Sequence, residues 1–352
     1  MHILVVNDDG PPSKKLSPYV RPFVDALQDA GHRVSVAVPA ESRSWIGKAH
    51  IIGASLKASY VHPDSFREDG TWDSSVNNHE VSQNASEAKE DNQQQQAPVR
   101  SRDNDWVVVS NGTPASCTQL GIYNLFTDRG PIDLVVSGPN HGRNASTIYN
   151  LSSGTVGGAL EAATCGKRGI ALSFGSKEEQ DPEVIKAASR LSVRLIEHLY
   201  RNWDERVELY NLNVPMRADV ESRPIRYTRA LPNRWTKGSL YAEVTHDDGE
   251  AEHAGDGNNN NLNNGAAKVA SKSGLFSWFT NGATATHVDQ GSTGRERYFQ
   301  WSTELSDIKR SLEASEEGTD AHTVLSGCTS VTPLLANFWH APGFSGELKL
   351  DN

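Results

Sequence analysis

Directly after Met1, His2–Val6 (HILVV) form an unbroken apolar run, the pattern of a strand buried on both faces. A helix is expected next, from about Ser17 as N-cap with Pro18 at its first position. Val20, Phe23, Val24 and Leu27 then fall at helical spacing, and Gly31 can close the turn. Pro22 allows a later start. Arg33–Val38 (RVSVAV) reads as a second strand ending in Pro39, which completes a βαβ unit and favours a parallel sheet.

The pattern resumes at Trp106, where WVVVS predicts a strand and Thr113–Phe126 a helix. Ile132–Gly138 (IDLVVSG) predicts a strand followed by a loop, then a helix over about Gly154–Cys165 and the strand GIALSF. Asp181 and Pro182 start a long helix with Val184, Ala188, Leu191, Leu195 and Leu199 on one stripe, and Val207–Val214 (VELYNLNV) forms a further strand. The order predicts an α/β fold: a doubly wound, mostly parallel, Rossmann-like sheet. Two stretches break the rhythm. Residues 61–104, with acids, Asn and QQQQ, and residues 245–292, with GDGNNNNLNNG, cannot bury enough apolar surface to order themselves and read as disordered insertions in surface loops. Inside the second lies an apolar island, Gly274–Phe279, expected to tuck onto the domain surface. No internal repeat is visible, and residues 1–352 read as a single domain with these two inserts.

Hydrophobic content of 36% and a mean hydropathy of −0.55 agree with a chain that is partly uncollapsed. A net charge of −10 argues against a nucleic-acid polymer or an acidic membrane surface as partner. An anionic substrate would therefore need a local attractor, such as a bound cation. Nowhere do 18 apolar residues run together, and no signal-like segment separates Met1 from the first strand. Three scattered cysteines (Cys117, Cys165, Cys328) lack metal spacing. A reduced, cytoplasmic protein is expected.

In open α/β sheets ligands bind beyond the carboxyl ends of the strands, and four polar segments fall there. Asp8 and Asp9 follow the first strand; two carboxylates held close repel unless a cation sits between them, and all-oxygen ligands suit a hard ion such as Mg²⁺ or Mn²⁺. The competing reading has Asp8 as a cap and Asp9-Gly10 as a turn. Ser42, Arg43, Ser44 and Lys48 follow the second strand, where hydroxyls can complete a metal's oxygen shell and cations can hold phosphate oxygens. An ordinary polar loop is the alternative. Ser137–Asn144 (SGPNHGRN) supplies amide oxygens from Asn140 and Asn144; His141 suggests a general acid, or simply a solvated side chain. Last, Leu151–Thr155 (LSSGT) enters a helix, so Ser153, Gly154 and Thr155 present backbone N–H groups as a phosphate seat, or plain N-caps.

This order of motifs, NDDG, RS, NGTP-Cys, SGPN-x-G-x-N and SSGTVGGALEA, resembles the SurE (survival protein E) phosphatase family. DDGPP, RSWIGKAH and SGPNHGRN are most similar to its fungal branch, which includes proteins described as acid phosphatases. The resemblance covers residues 1–60 and 106–230 and, more faintly, Ser326–Pro333. It implies a metal-dependent phosphomonoesterase acting on nucleoside 5′- or 3′-monophosphates and other phosphate monoesters. The implied ligands of one divalent metal are Asp8, Asp9, Ser44 and Asn140, while Asn144 and Ser153-Gly154-Thr155 match positions lining the phosphate pocket. It also implies a C-terminal β-hairpin through which members form dimers or tetramers. Trp45 stands where bacterial members usually have glycine, and Pro139 where they have an aliphatic residue.

On this reading Asp8, Asp9 and Asn144 carry the catalysis, and Asn7, Lys48, Asn144 and Ser153–Thr155 hold the phosphate. A DxDG phosphatase is disfavoured, because its first Asp would be Asn7, which cannot form a phospho-enzyme. A dehydrogenase lacks its GxGxxG. The rival of another class is a fold that binds nucleotides or a protein partner without catalysis.

Overall fold

The computed structural model describes residues 1–72, 104–236, 238–244, 297–302 and 305–337. Among them, nine strands build one sheet: β1 (His2–Val6), β2 (Arg33–Pro39), β3 (Lys57–Val61), β4 (Trp106–Ser110), β5 (Leu134–His141), β6 (Arg168–Phe174), β7 (Leu209–Val214), β8 (Ile225–Tyr227) and β11 (Thr329–Leu334). Their spatial order is β3-β4-β2-β1-β5-β6-β7-β11-β8. From β4 to β7 every pair is parallel, whereas β3 joins β4 and β11 joins β7 antiparallel. The chain builds outward from β1 through β2 and β4, then returns to β5 on the opposite side of β1. The crevice between β1 and β5 is thus the topological switch point, where such sheets take their ligands.

The apolar run of β1 divides between two cores, as alternation along a strand requires. Ile3 and Val5 pack with Val20, Phe23 and Leu27 of α1 (Val20–Asp29) and with Leu191, Leu195 and Leu199 of the helix Pro182–Arg201. Leu4 and Val6 face the other way, onto Cys117 of α2 (Pro114–Leu120), Phe126 and Ala162. Ala162 belongs to α4 (Gly154–Thr164), which a short helix α3 (Thr147–Ser152) precedes; Pro182–Arg201 is α5. At about 1.5–3 kcal/mol for each fully buried large aliphatic side chain, these two faces hold the sheet between its helix layers. After β8 come α6 (Ser306–Glu313) and α7 (Asp320–Leu325).

Several expectations are adjusted. Helix α1 starts at Val20, with Tyr19 as N-cap, and not at Pro18; Pro22 is tolerated because its missing N–H would be unpaired in the first turn anyway. Helix α2 ends at Leu120 and continues as a wider turn over Gly121–Leu125. Strand β5 does not stop at Gly138: it bulges there and resumes at Asn140 beside β6. Residues 61–72, expected inside a disordered insertion, are built in. Val61 is buried at the end of β3, and Phe66 packs its ring on Trp72 and Trp106. The rest of that stretch, the second insertion and the Gly274–Phe279 island lie outside the described residues.

The chain divides into two compact units, Met1–Trp235 with Ser306–Asn352, and Thr236–Leu305. The second contains the expected hairpin: β9 (Tyr241–Val244) pairs antiparallel with β10 (Tyr298–Trp301), and Arg297 bridges Glu243 at 2.6 Å. Among the described residues no helix is long and apolar enough to cross a membrane.

Candidate active site

Where β1 ends the backbone turns, and Asn7 makes the turn. Its amide nitrogen donates to the Gly10 carbonyl (2.9 Å) and to Ser17 Oγ (3.2 Å), while its Oδ1 accepts from the Gly10 N–H (3.1 Å). Asn7 is fully buried and its hydrogen-bonding groups are spent inside the turn. It shapes the loop; the phosphate contact expected of it is not what this geometry offers.

That turn presents Asp8 and Asp9, 2% and 7% exposed. Each is held by one neighbour from a different element. Thr155 Oγ1 donates to Asp8 Oδ1 at 2.7 Å, and the His141 backbone N–H donates to Asp9 Oδ2 at 2.7 Å. Burial pushes both carboxyls above their ordinary range; Thr155 opposes this at Asp8, while at Asp9 the charge of Asp8 adds to it and the His141 N–H opposes it. The two acids are thus buried neighbours, the charge of one bearing on the other, an arrangement that a cation would relieve.

Around them the expected donors gather unevenly. Asn140 lies at the bulged end of β5, next to the residue that holds Asp9, and its amide nitrogen is tied to the Gly142 carbonyl at 2.6 Å. Ser44 sits on the loop after β2, which the Arg43 N–H pins to the Asp8 carbonyl at 2.6 Å; its hydroxyl lies 3.3 Å from Ser42 Oγ. Two carboxylates, an amide and a hydroxyl make an oxygen-only set suited to a hard divalent ion. With only two acids this set differs from clusters of three or more His, Cys, Asp or Glu, none of which forms among the described residues. The buried, mutually repelling acid pair is the feature that fits a cation.

The start of α4 closes the other side. Ser153 Oγ caps the Val156 N–H at 3.1 Å, so this side chain serves the helix as well as the pocket. Glycine is required at 154: a Cβ there would stand 2.8 Å from Asp8 Cβ and 3.1 Å from the Arg43 carbonyl oxygen. Asn144 is buried as well. Its amide nitrogen donates to Ser173 Oγ (2.9 Å), its N–H to Asn213 Oδ1 (2.8 Å), and its carbonyl accepts from Asn211 and Asn213. Asn144 is thus fixed from three sides as part of the floor.

Lys48 is elsewhere. Its ammonium pairs with the buried Glu161 of α4 at 2.6 Å, together with Gln119 and His50. Burial works against ionising Glu161, but Lys48 and Gln119 outweigh it and hold its carboxyl below the usual range. The cation that does bear on both acids is Lys177, after β6. Its stem crosses Gly142, where a Cβ would come within 2.9 Å of Lys177 Cε. Its charge favours the ionised forms of Asp8 and Asp9. His141 is packed, not solvated: its ring meets Tyr19 edge-on at 5.2 Å, and burial, with Lys177, lowers its pKa. Tyr19 itself is pushed to about 12 by burial and the charge of Asp9.

Three features escape a reading by motif. Lys177 follows a strand like the other loops but belongs to no pattern. Asn211 and Asn213 are legible as amides two apart in a buried strand. Asp320, fully buried, accepts from the backbone N–H groups of Ser146 and Leu231 (both 2.9 Å) and Ala321 (2.7 Å), anchoring the segment that leads into α3.

Fold and crevice together define an α/β protein with a buried acid pair at its sheet's switch point. The family model for the survival protein SurE matches residues 3–237, and the chain belongs to that family. It is 31% identical over 364 aligned positions to "Probable tubulin--tyrosine ligase PBY1" of Saccharomyces cerevisiae, a match covering 99% of this chain and 43% of that protein. It is also 31% identical over 240 positions to "5'-nucleotidase SurE" of Nitratidesulfovibrio vulgaris, covering 67% of this chain and 76% of the relative. The crystal structure of the SurE protein from Aquifex aeolicus shares the fold, with a TM-score of 0.56 at 21% identity over 96% of this chain and 95% of that one.

Proposed function

We propose that this chain is a divalent-metal-dependent phosphomonoesterase that hydrolyses nucleoside 5′- or 3′-monophosphates and other phosphate monoesters. The observation that carries this reading is the buried Asp8/Asp9 pair, gripped by Thr155 and the His141 N–H and opening beside the N-terminus of an 11-residue helix. Asp8, Asp9, Ser44 and Asn140 would hold one Mg²⁺ or Mn²⁺. When bound, the ion supplies Lewis-acid polarisation of a phosphoryl oxygen and acidifies the attacking water.

The rest falls to the protein. Thr155 and His141 fix the two carboxylates so that neither rotates as charge shifts. Backbone N–H groups at the start of α4 donate to phosphate oxygens at the positive end of the helix. Lys177 takes the clamping role first expected of Lys48, offsetting negative charge as the ester bond breaks. Asn144, locked to Ser173 and Asn213, keeps the floor from collapsing onto the acids. Water adds to phosphorus, the phosphorus–oxygen ester bond breaks, and the alcohol leaves with a proton. Self-association through the β9–β10 hairpin, which exposes Tyr241, Tyr298 and Phe299, belongs to the same reading and is checked by sedimentation. The ligase name of the yeast relative describes a protein more than twice the matched length, and the named nucleotidases support hydrolysis.

The test is phosphate release from p-nitrophenyl phosphate and AMP by protein stripped with EDTA, then reloaded with Mg²⁺ or Mn²⁺. Activity should vanish on stripping, return on reloading, and be absent in a folded Asp8→Asn variant. Chelator-insensitive release, or full activity in that variant, would overturn the reading.

A further inference from the structure

Trp45 holds a left-handed backbone (φ 66°) beside Ser44, a conformation that favours glycine and is uncommon for a bulky residue. Strain of this kind persists where surrounding structure enforces it and marks places with a task. The Trp45 ring lies 5.6 Å from that of Tyr149 on α3 and 6.3 Å from that of Trp235, tilted by 51° and 31°.

Three separate segments deliver these rings, and each is fastened. The Gly47 N–H donates to the Ser152 carbonyl (2.9 Å), and the Arg43 N–H to the Asp8 carbonyl (2.6 Å). The Thr147 N–H donates to the Leu231 carbonyl (2.9 Å), and the Ile148 N–H to Asn233 Oδ1 (3.0 Å), placing the segment that ends in Trp235 against α3. Trp235 is nevertheless 38% exposed, and Leu151 nearby on α3 is 66% exposed. This aromatic wall stands on the loop that touches Asp8, two residues from that contact. A polar, cation-seeking end and an adjoining aromatic rim suit a ligand with a charged head and a flat apolar tail.

We propose that Trp45, Tyr149 and Trp235 form the leaving-group subsite, taking the planar base of a nucleoside monophosphate by stacking. The proposal rests on the phosphomonoesterase reading and adds to it a specificity surface on the loop that touches Asp8. Stacking on one aromatic side chain supports an effect of about 10- to 100-fold.

The experiment compares kcat/KM for AMP and ribose 5-phosphate, which share sugar and phosphate and differ by the base. The wild-type protein should prefer AMP. Trp45→Gly, which relieves the left-handed strain, and Trp235→Leu should each lower the AMP-to-ribose-phosphate ratio about 10- to 100-fold, chiefly through KM. A second arm needs no variant: adenosine should compete with ribose 5-phosphate in the wild-type protein far better than ribose does. An unchanged ratio in folded variants, or equal inhibition by adenosine and ribose, overturns the aromatic subsite while leaving the phosphatase reading intact. Absence of phosphate release from either ester by metal-loaded wild-type protein overturns that reading, and the subsite with it.

Discussion

Thr155 and Asp8 lie 147 residues apart, yet the threonine hydroxyl donates a 2.7 Å hydrogen bond to the aspartate's Oδ1 in a buried setting. This contact joins the first strand's exit to the first turn of α4, and it orients one of the two acids to which the proposed chemistry is assigned. Thr155→Val keeps the shape and removes the donor. Losing such an outer partner costs about 10- to 100-fold in metal affinity or activity, so kcat/KM for AMP should fall by that much in a folded protein, while Thr155→Ser keeps most of the rate. Equal rates for the valine variant and wild type would remove Thr155 from any positioning role.

Asn7 separates a turn-building role from a substrate-binding one. Truncation to alanine leaves the buried Gly10 N–H without its partner and the Gly10 carbonyl with Ser17 Oγ alone, a loss of about 1–3 kcal/mol. The urea midpoint of Asn7→Ala should drop accordingly. An unchanged midpoint combined with a raised KM for AMP would restore the phosphate contact first expected of this residue.

The reach of sequence reasoning follows from how local each signal is. The runs at β1 and β7 and the stripe of α5 declare themselves because one element's own residues carry the pattern. Asp8, Asp9, Asn140 and Ser153–Thr155 are legible as a set because switch-point topology brings strand ends together. Lys48 is not, since what decides its fate is Glu161, far along the chain and buried on α4. Asn140 reads as a loop residue because the apolar run ends before Gly138, whereas Gly138 and Pro139 are absorbed as a bulge and the strand resumes. Phe66 and Trp72 look like isolated aromatics in a polar stretch until Trp106 provides the surface they cover.

Lys48 and Lys177 should part company under substitution. Lys177→Met removes the charge that favours ionised Asp8 and Asp9, and with it a cation able to meet the phosphoryl group. The loss of kcat/KM should be roughly 100-fold, the scale of one well-placed electrostatic contact. Lys48→Met instead leaves Glu161 buried without its ammonium partner, beside His50, Gln119 and the Cys165 thiol, and should cost about 1–3 kcal/mol of stability with a small change in KM. Steady-state kinetics and unfolding of both variants check the pair; the reverse pattern would return the clamp to Lys48.

Stability should also depend on pH through His2, far from the acids. Its ring is buried, with Nε2 2.9 Å from Ser35 Oγ and Nδ1 3.1 Å from the Gly130 carbonyl. Burial, the largest cause, lowers its pKa from 6.5, and the charge of Arg33 adds to this. Below 6.5 the unfolded chain takes up a proton that the folded chain still refuses, so the unfolded state binds more protons and stability falls as pH falls. The loss begins near the unfolded value, grows until the folded pKa is passed, and then levels off; above 6.5 none of it is felt. Other groups titrate in the same range, so the comparison is with His2→Gln, which keeps a neutral polar side chain. The stability of wild type relative to that variant, from urea unfolding at several pH values between 7 and 5, should decline as the solution is acidified. A difference that stays constant across that range would show that His2 titrates alike in both states and that its burial carries no cost.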